Sequence, residues 1–289
     1  MKSLKEYVIH EGFKLGKNKV EKLHLTKVEN LKQLKEIVDY RLSKLIYDFS
    51  DLDVSNIDSF ENLFYAKTQV KELNLTNWDT YNVTNMSNMF KNCSNLTKII
   101  GLREFDMRNV TNITSMFSGC GSLENLNDIE YWYNTNKIQS MNYAFMHTSI
   151  TSLDLSSWNL KNLENCAAAF TDCKYLKNLN ISSFKNSSKI FMIMAMFREC
   201  VSLNNIIGIE NLNVSKISST QQMFRGCKSL KTIDLSNWNI DNLGDCSFMF
   251  YECSSLDNIG EIDFSEVKRK EKIFEKCPKA FLKKYKGKY

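Results

Sequence analysis

Apolar residues return along this chain with a period of 24 to 28 positions. Phenylalanine marks the register: Phe64, Phe90, Phe117, Phe145, Phe170, Phe197, Phe224, Phe250 and Phe274 stand 26, 27, 28, 25, 27, 27, 26 and 24 residues apart. Seven positions before each Phe comes Ile57, Val83, Val110, Ile138, Leu163, Ile190, Ile217, Leu243 or Val267, and one before it Leu63, Met89, Met116, Ala144, Ala169, Met196, Met223, Met249 or Ile273. Six after it fall Val70, Leu96, Leu123, Leu176, Leu203, Leu230 and Leu256, and nine after it Leu73, Ile99, Leu126, Leu179, Ile206, Ile233 and Ile259. A core made by stacking like units demands apolar columns of this kind. Length alone suggests two domains of about 150 residues, but the continuous repeat makes one solenoid.

Spacing inside a unit separates two elements. Val83, Met86, Met89, Phe90 and Cys93 advance by three or four, which predicts one face of a short helix. Leu96, Ile99 and the residue two further on pass into period two, which predicts a short strand. Gly119 and Gly226, with Asn92 as a substitute, stand where such a helix wants a left-handed C-terminal residue. Strands stack about 4.8 Å apart and helices 8 to 10 Å apart. The expected fold class is therefore an α/β solenoid, a horseshoe with a concave parallel sheet and short convex helices. Its expected parts are a leader over 1–18, an N-terminal capping unit over 19–48, the repeats over 49–263 and a C-terminal cap with a basic tail over 264–289. In the capping unit Val20, Leu23 and Leu25 begin a strand, and Val28, Leu31, Leu34, Ile37 and Val38 line one helix face.

The phrases LNLTNWDTYNVTNMSNMFKNCSNL (73–96), LDLSSWNLKNLENCAAAFTDCKYL (153–176) and IDLSNWNIDNLGDCSFMFYECSSL (233–256) resemble the BspA-type leucine-rich repeat, found also in mycoplasma lipoproteins. The likeness spans about residues 45–277. It implies a leucine-rich-repeat protein of the bacterial surface type that binds host proteins. A second, short resemblance lies in the leader: MKSLKEYVIHE is similar to the capsid-targeting leaders of internal head proteins in T-even-type phages, and Ile9, Glu11 and Gly12 fit the cleavage pattern of their prohead protease, with the cut after Glu11. The alternative for that segment is a short amphipathic helix using Leu4, Tyr7 and Val8.

Composition narrows the chemistry. With 43% apolar residues, 25% charged residues and one proline the chain has the makeup of an ordered globular protein. No eighteen apolar residues run together, and Lys2, Lys5, Glu6, Glu11 and Lys14 occupy the place of a secretory h-region, so neither a membrane span nor Sec export is expected. The expected setting is bacterial cytoplasm or a phage virion, ahead of the cell surface. The net charge of +5 is local: residues 266–289 hold ten Lys or Arg against three Glu, a net +7 that leaves −2 for residues 1–265. Nucleic-acid binding is thus expected only through the basic tail.

All nine cysteines fall in two repeat columns. Cys93, Cys120, Cys173, Cys200, Cys227, Cys253 and Cys277 come three after the Phe, and Cys166 and Cys246 four before it. That placement reads as core filling by a small apolar side chain; disulfide or metal roles are the alternative, without the C-x2-C pairs of structural zinc. Three histidines, His10, His24 and His147, do not converge with carboxylates, and neither G-x-x-x-x-G-K-S/T nor a strand followed by G-x-G-x-x-G occurs. No catalytic residue, cofactor or metal is therefore assigned. Gly101, Gly208 and Gly260 recur at one place and read as tight turns.

Function on a solenoid belongs to strand positions that stacking does not consume. The candidate concave-face residues are Lys98, Asn125, Asn127, Ser152, Asp154, Asn178, Asn180, Asn205, Thr232, Asp234 and Asn258. This amide-rich stripe suits a protein or glycan ligand; its other reading is a hydrated Asn/Asp ladder. Tyr131, Trp132 and Tyr133 interrupt the fourth unit, where one ring must fill the column of Trp78, Trp158 and Trp238 and the others are candidate anchors. A monomeric, non-enzymatic binding or adhesion protein is the expectation, with a head-associated phage protein as alternative.

Overall fold

The computed structural model describes residues 25–287 and Tyr289. Ile9, Glu11, Gly12, Val20 and Leu23 lie outside the described residues. The chain enters through β1 (Thr26–Lys27) and α1 (Leu31–Ser43). Asn30 starts α1 by accepting the Gln33 amide on its Oδ1 at 3.0 Å, satisfying one of the orphan donors of the first turn. Leu34, Ile37, Val38 and Leu42 form its buried face. The buried Arg41 guanidinium donates to both carboxylate oxygens of Asp51 and to the Asp48 carbonyl, tying the helix to the chain that follows.

Beyond α1 come β2 (Leu52–Asp53), β3 (Glu72–Asn74), β4 (Lys98–Ile100), β5 (Ser152–Asp154), β6 (Asn178–Asn180) and β7 (Asn205–Ile207). Every pairing is parallel: β1 with β2, β3 with β4, and β5 with β6 with β7. A separate parallel bridge joins Thr232 to Asn258. Running a coil from the apolar residue seven before its phenylalanine to the strand after it, Phe64 marks coil 1 and Phe274 coil 9. The leucine-rich-repeat solenoid expected from the columns is present, and its core is continuous from Val28 to Tyr285.

The expected helices are not. Among the described residues the only α-helices are α1 and α2 (Lys279–Lys284), and the segments around each phenylalanine form a ribbon of turns bonded from coil to coil. In coil 2 the N–H groups of Met86, Asn88, Phe90 and Asn92 donate to the carbonyls of Asn112, Thr114, Met116 and Ser118 in coil 3, while Met89, Lys91 and Cys93 donate locally to the third residue back. The nine phenylalanines explain why. Their buried rings stack face to face at 5.2 to 5.8 Å with interplanar angles of 7° to 20°. One coil per 5.5 Å leaves no room for helices, which need 8 to 10 Å between axes. Parallel ladders on one side, interrupted at coil 3 and between coils 6 and 7, and the turn ribbon on the other join the coils, so no helix layer sets their spacing.

Two columns of left-handed backbone make the ribbon. Two residues before the Phe stand Asn62, Asn88, Ser115, Tyr143, Ala168, Ala195, Gln222, Phe248 and Lys272, and two after it Ala66, Asn92, Gly119, His147, Asp172, Glu199, Gly226, Glu252 and Lys276, all with φ between 52° and 77°. Gly119 and Gly226 are thus left-handed as expected, as ribbon turns and not as helix ends. A left-handed L-residue costs about 1 to 2 kcal/mol. We therefore expect Ala195→Gly, at φ 54°, to raise stability by about 0.5 kcal/mol net of the roughly 0.4 to 1 kcal/mol of chain entropy that glycine adds to the unfolded state. A helix at this position would instead lose about 1 kcal/mol, so the sign of the urea-midpoint shift decides between the two backbones.

Candidate functional site

Strand residues alternate between core and solvent. Leu73, Ile99, Leu153, Leu179 and Ile206 point inward and are buried; two outward stripes flank them. One holds Lys98, Ser152, Asn178, Asn205, Thr232 and Asn258, all exposed. The other holds Asn74, Asp154, Asn180 and Asp234, which are committed to turns: their Oδ1 atoms accept the amides of Thr76, Ser156, Ser182 and Ser236 at 2.8 to 3.1 Å. Asn180 also donates through Nδ2 to Asp154 Oδ2 at 3.3 Å. The second stripe is therefore structural, whereas in the first Asn258 alone is tied down, its Oδ1 accepting the Gly260 amide at 3.1 Å.

Coil 3 departs from this pattern. Asn125 and Asn127 do not lie on a strand: Asn125 Oδ1 accepts the Asn127 amide at 2.7 Å, and Asn127 opens a 3-10 helix, Asn127–Tyr131. The ladder is interrupted there, and these two residues leave the candidate stripe. Ile100 and Ile207, exposed to 38% and 49%, replace the turn-forming amide where Gly101 and Gly208 take over the turn at φ 95° and 93°. A Cβ on Gly208 would stand 2.4 Å from Ser182 Cα, and one on Gly101 2.6 Å from the Thr76 amide nitrogen, so tight turns against the preceding coil account for both glycines.

Four of the candidate residues meet. Asn205, Thr232, Asp234 and Asn258 line an open depression of 440 Å³ on coils 6 to 8, with Glu210, Glu261 and Lys284 at its margin. Ser236, donating its hydroxyl and its amide, holds the Asp234 carboxyl below the usual carboxylate range. Asn258 Oδ1 accepts the Tyr285 hydroxyl at 2.6 Å, and the same hydroxyl accepts the Ile259 amide at 3.0 Å, so the segment after α2 closes this end of the face. Phe281 and Tyr285 are buried; part of the basic segment is spent on that closure. Sequence periodicity located the four strand residues. It missed Glu210 and Lys284, which enter from a turn and from α2 and carry no column signal.

The aromatic interruption resolves into one core ring and two surface rings. Trp132 is buried, stacks on Phe105 and Trp158, and donates Nε1 to the Leu102 carbonyl at 2.7 Å, as Trp78, Trp158 and Trp238 do to the Phe49, Ile129 and Ile209 carbonyls. It is not an anchor, because its N–H and both faces are already occupied within the stack. Tyr131 lies under the Arg103 guanidinium, 3.7 Å from its ring centroid, and Tyr133 is 63% exposed.

The thiols are built into the stack. In the seven-member column each Sγ donates to the carbonyl of the preceding coil's phenylalanine at 2.9 to 3.2 Å, Cys93 to Phe64 through Cys277 to Phe250. Burial pushes the Cys93, Cys166, Cys246 and Cys277 thiols up to about 12, far from the thiolate a nucleophile or metal ligand needs. Among the described residues no three His, Cys, Asp or Glu gather to hold a metal ion, and no helix is long and apolar enough to cross a membrane.

The family model described as Mycoplasma protein of unknown function, DUF285, matches residues 7–125, 58–184, 95–207 and 166–287. The chain belongs to that family. The overlapping matches are what a repeat gives when it aligns in several registers. Among curated proteins none matches. Solved structures similar to this chain include a leucine rich cell surface protein from Faecalibacterium prausnitzii, 17% identical over 71% of this chain and 77% of that one with a TM-score of 0.24. A leucine-rich repeat protein from Bacteroides ovatus is 15% identical over 84% and 79% with a TM-score of 0.27. The Leucine Rich Repeat protein of T. pallidum is 12% identical over 83% and 75% with a TM-score of 0.29. The fold of this DUF285 member rests on its own ladders, not on these distant likenesses.

Proposed function

We propose that this DUF285 chain is a non-enzymatic binding protein that takes a protein or glycan ligand on the exposed strand stripe of coils 4 to 7. The carrying observation is the division of labour between the two stripes. One is consumed by turns, while Asn178, Asn205 and Thr232 present exposed amides and a hydroxyl at strand spacing beside an open depression. Such groups both donate and accept, the chemistry that reads peptide backbones and sugar hydroxyls. The BspA-type resemblance adds a surface-adhesin setting to this reading. Wild-type protein and the Asn178→Ala/Asn205→Ala/Thr232→Ala variant, applied to a glycan array and to immobilised extracellular-matrix proteins, test it. A wild-type signal lost at least tenfold in a folded variant supports the strand stripe; equal binding by both removes it.

A further inference from the structure

Coils 6 and 7 part on the strand side. On the ribbon side the N–H groups of Ala195, Phe197 and Glu199 donate one way, to the carbonyls of Gln221, Met223 and Arg225 in the following coil, and the Phe197 and Phe224 rings stay stacked at 5.4 Å. Across the sheet, Asn204 and Asn205 donate to the Lys177 carbonyl, and Asp257 and Asn258 to that of Lys231, but neither Lys231 nor Thr232 donates to Asn204. The 440 Å³ depression lies over this opening, with Ile206 and Ile233, 8% and 5% exposed, in its floor. A second depression of 260 Å³ lies on the chain that follows the two strands, lined in part by Asn211, Asn213, Asn237 and Asn239. Glu210 borders both. Its carboxylate is held in place by accepting the Gly208 amide at 3.1 Å and Asn211 Nδ2 at 3.0 Å.

A peptide strand binds a sheet by adding to a free edge. The opening offers none, because the closed ribbon behind it keeps coils 6 and 7 too near for a strand to enter between them. Recognition therefore falls to side chains. Asn204, Asn205, Thr232 and Asn237 are exposed, and among the described residues no hydrogen bond engages their side chains. A primary amide sets a donor beside an acceptor, which matches two neighbouring hydroxyls of a sugar ring, and an aliphatic floor suits the C–H face of that ring. The first depression has the size of a small-ligand site, about 300 to 1,000 Å³. Three carboxylates, Glu210, Asp234 and Glu261, stand around it against one cation, Lys284. Like charge repels sialic and uronic acids, which leaves neutral and amino sugars.

We propose that the two depressions form one glycan site, which holds a neutral or amino-sugar oligosaccharide of at least two rings straddling Glu210. This assignment rests on the strand-stripe reading and adds a ligand class to it. The full chain, its Glu210→Gln/Asn237→Ala variant and its Asn178→Ala/Asn205→Ala/Thr232→Ala variant are applied to an array of neutral, amino and sialylated oligosaccharides of one to four rings, and to deglycosylated matrix proteins. Urea melts check that each variant is folded. Neutral or amino chains of two or more rings should bind, and single rings and sialylated chains should bind at least tenfold more weakly. Glu210→Gln/Asn237→Ala should lose about tenfold, and Asn237→Ala alone, at an exposed position, about threefold should the double variant fail to fold. A preference for sialylated chains, glycan binding that the Glu210 and Asn237 changes leave unmoved, or no glycan binding overturns the site. If deglycosylated protein binds and the stripe variant abolishes it, the glycan site falls and the strand-stripe reading stands; if nothing binds, or the stripe variant binds like wild type, both fall.

Discussion

Phe117→Ala is expected to destabilise the chain by about 3 to 5 kcal/mol in urea melts, the cost of a large core truncation. Its ring is sandwiched between Phe90 at 5.5 Å and Phe145 at 5.8 Å, nearly parallel to both, so removal opens a gap between two coils and not a surface notch. Each coil buries its apolar residues only against its neighbours, so the loss falls on two interfaces at once. Phe117→Leu, which keeps much of the volume, should recover more than half of the loss. A loss under about 1 kcal/mol for the alanine variant contradicts the stacked column.

Raising the pH from 8 to 10 under reducing conditions is expected to cost about 5 kcal/mol through four of the buried thiols alone. Thiols of the unfolded chain ionise near 9.0, whereas the folded Cys93, Cys166, Cys246 and Cys277 hold their protons to about 12. The folded state binds more protons over that window, so stability is full below 9.0 and falls as the pH climbs toward 12. Each such thiol contributes about 1.4 kcal/mol by pH 10, and four together match a sizeable share of the 5 to 15 kcal/mol typical of a domain. The urea midpoint at the two pH values measures the effect, and Cys93→Ala/Cys277→Ala should remove about 3 kcal/mol of it. An unchanged midpoint would mean that the thiols are not buried as described.

The columns were legible because stacking imposes the same demand at every turn of the chain. Phenylalanine, leucine and cysteine positions, the strand sites of Asn178 and Asn205 and the tight turns at Gly101 and Gly208 all follow from that demand. The ribbon was misread as helix because Val83, Met86, Met89, Phe90 and Cys93 have helical spacing; what distinguishes the ribbon is left-handed backbone at Asn88 and Asn92, and in other coils that conformation is carried by Tyr143, Ala168 or Glu199. Residue type does not announce it there, since neighbouring coils enforce it. Asn125 and Asn127 failed for a related reason: their column is regular, but a local amide-capped turn takes them off the strand.

The one-way wiring of the ribbon also constrains how such a chain can change over evolutionary time. Four donors meet four acceptors at seven of the eight junctions, and three of the four pairs persist between coils 6 and 7, so a whole unit copied in or lost leaves matching surfaces on either side, whereas half a unit or an inverted one confronts donors with donors. Descent by duplication of complete units is thus built into the backbone chemistry, and variation in length between relatives should come in steps of about one coil.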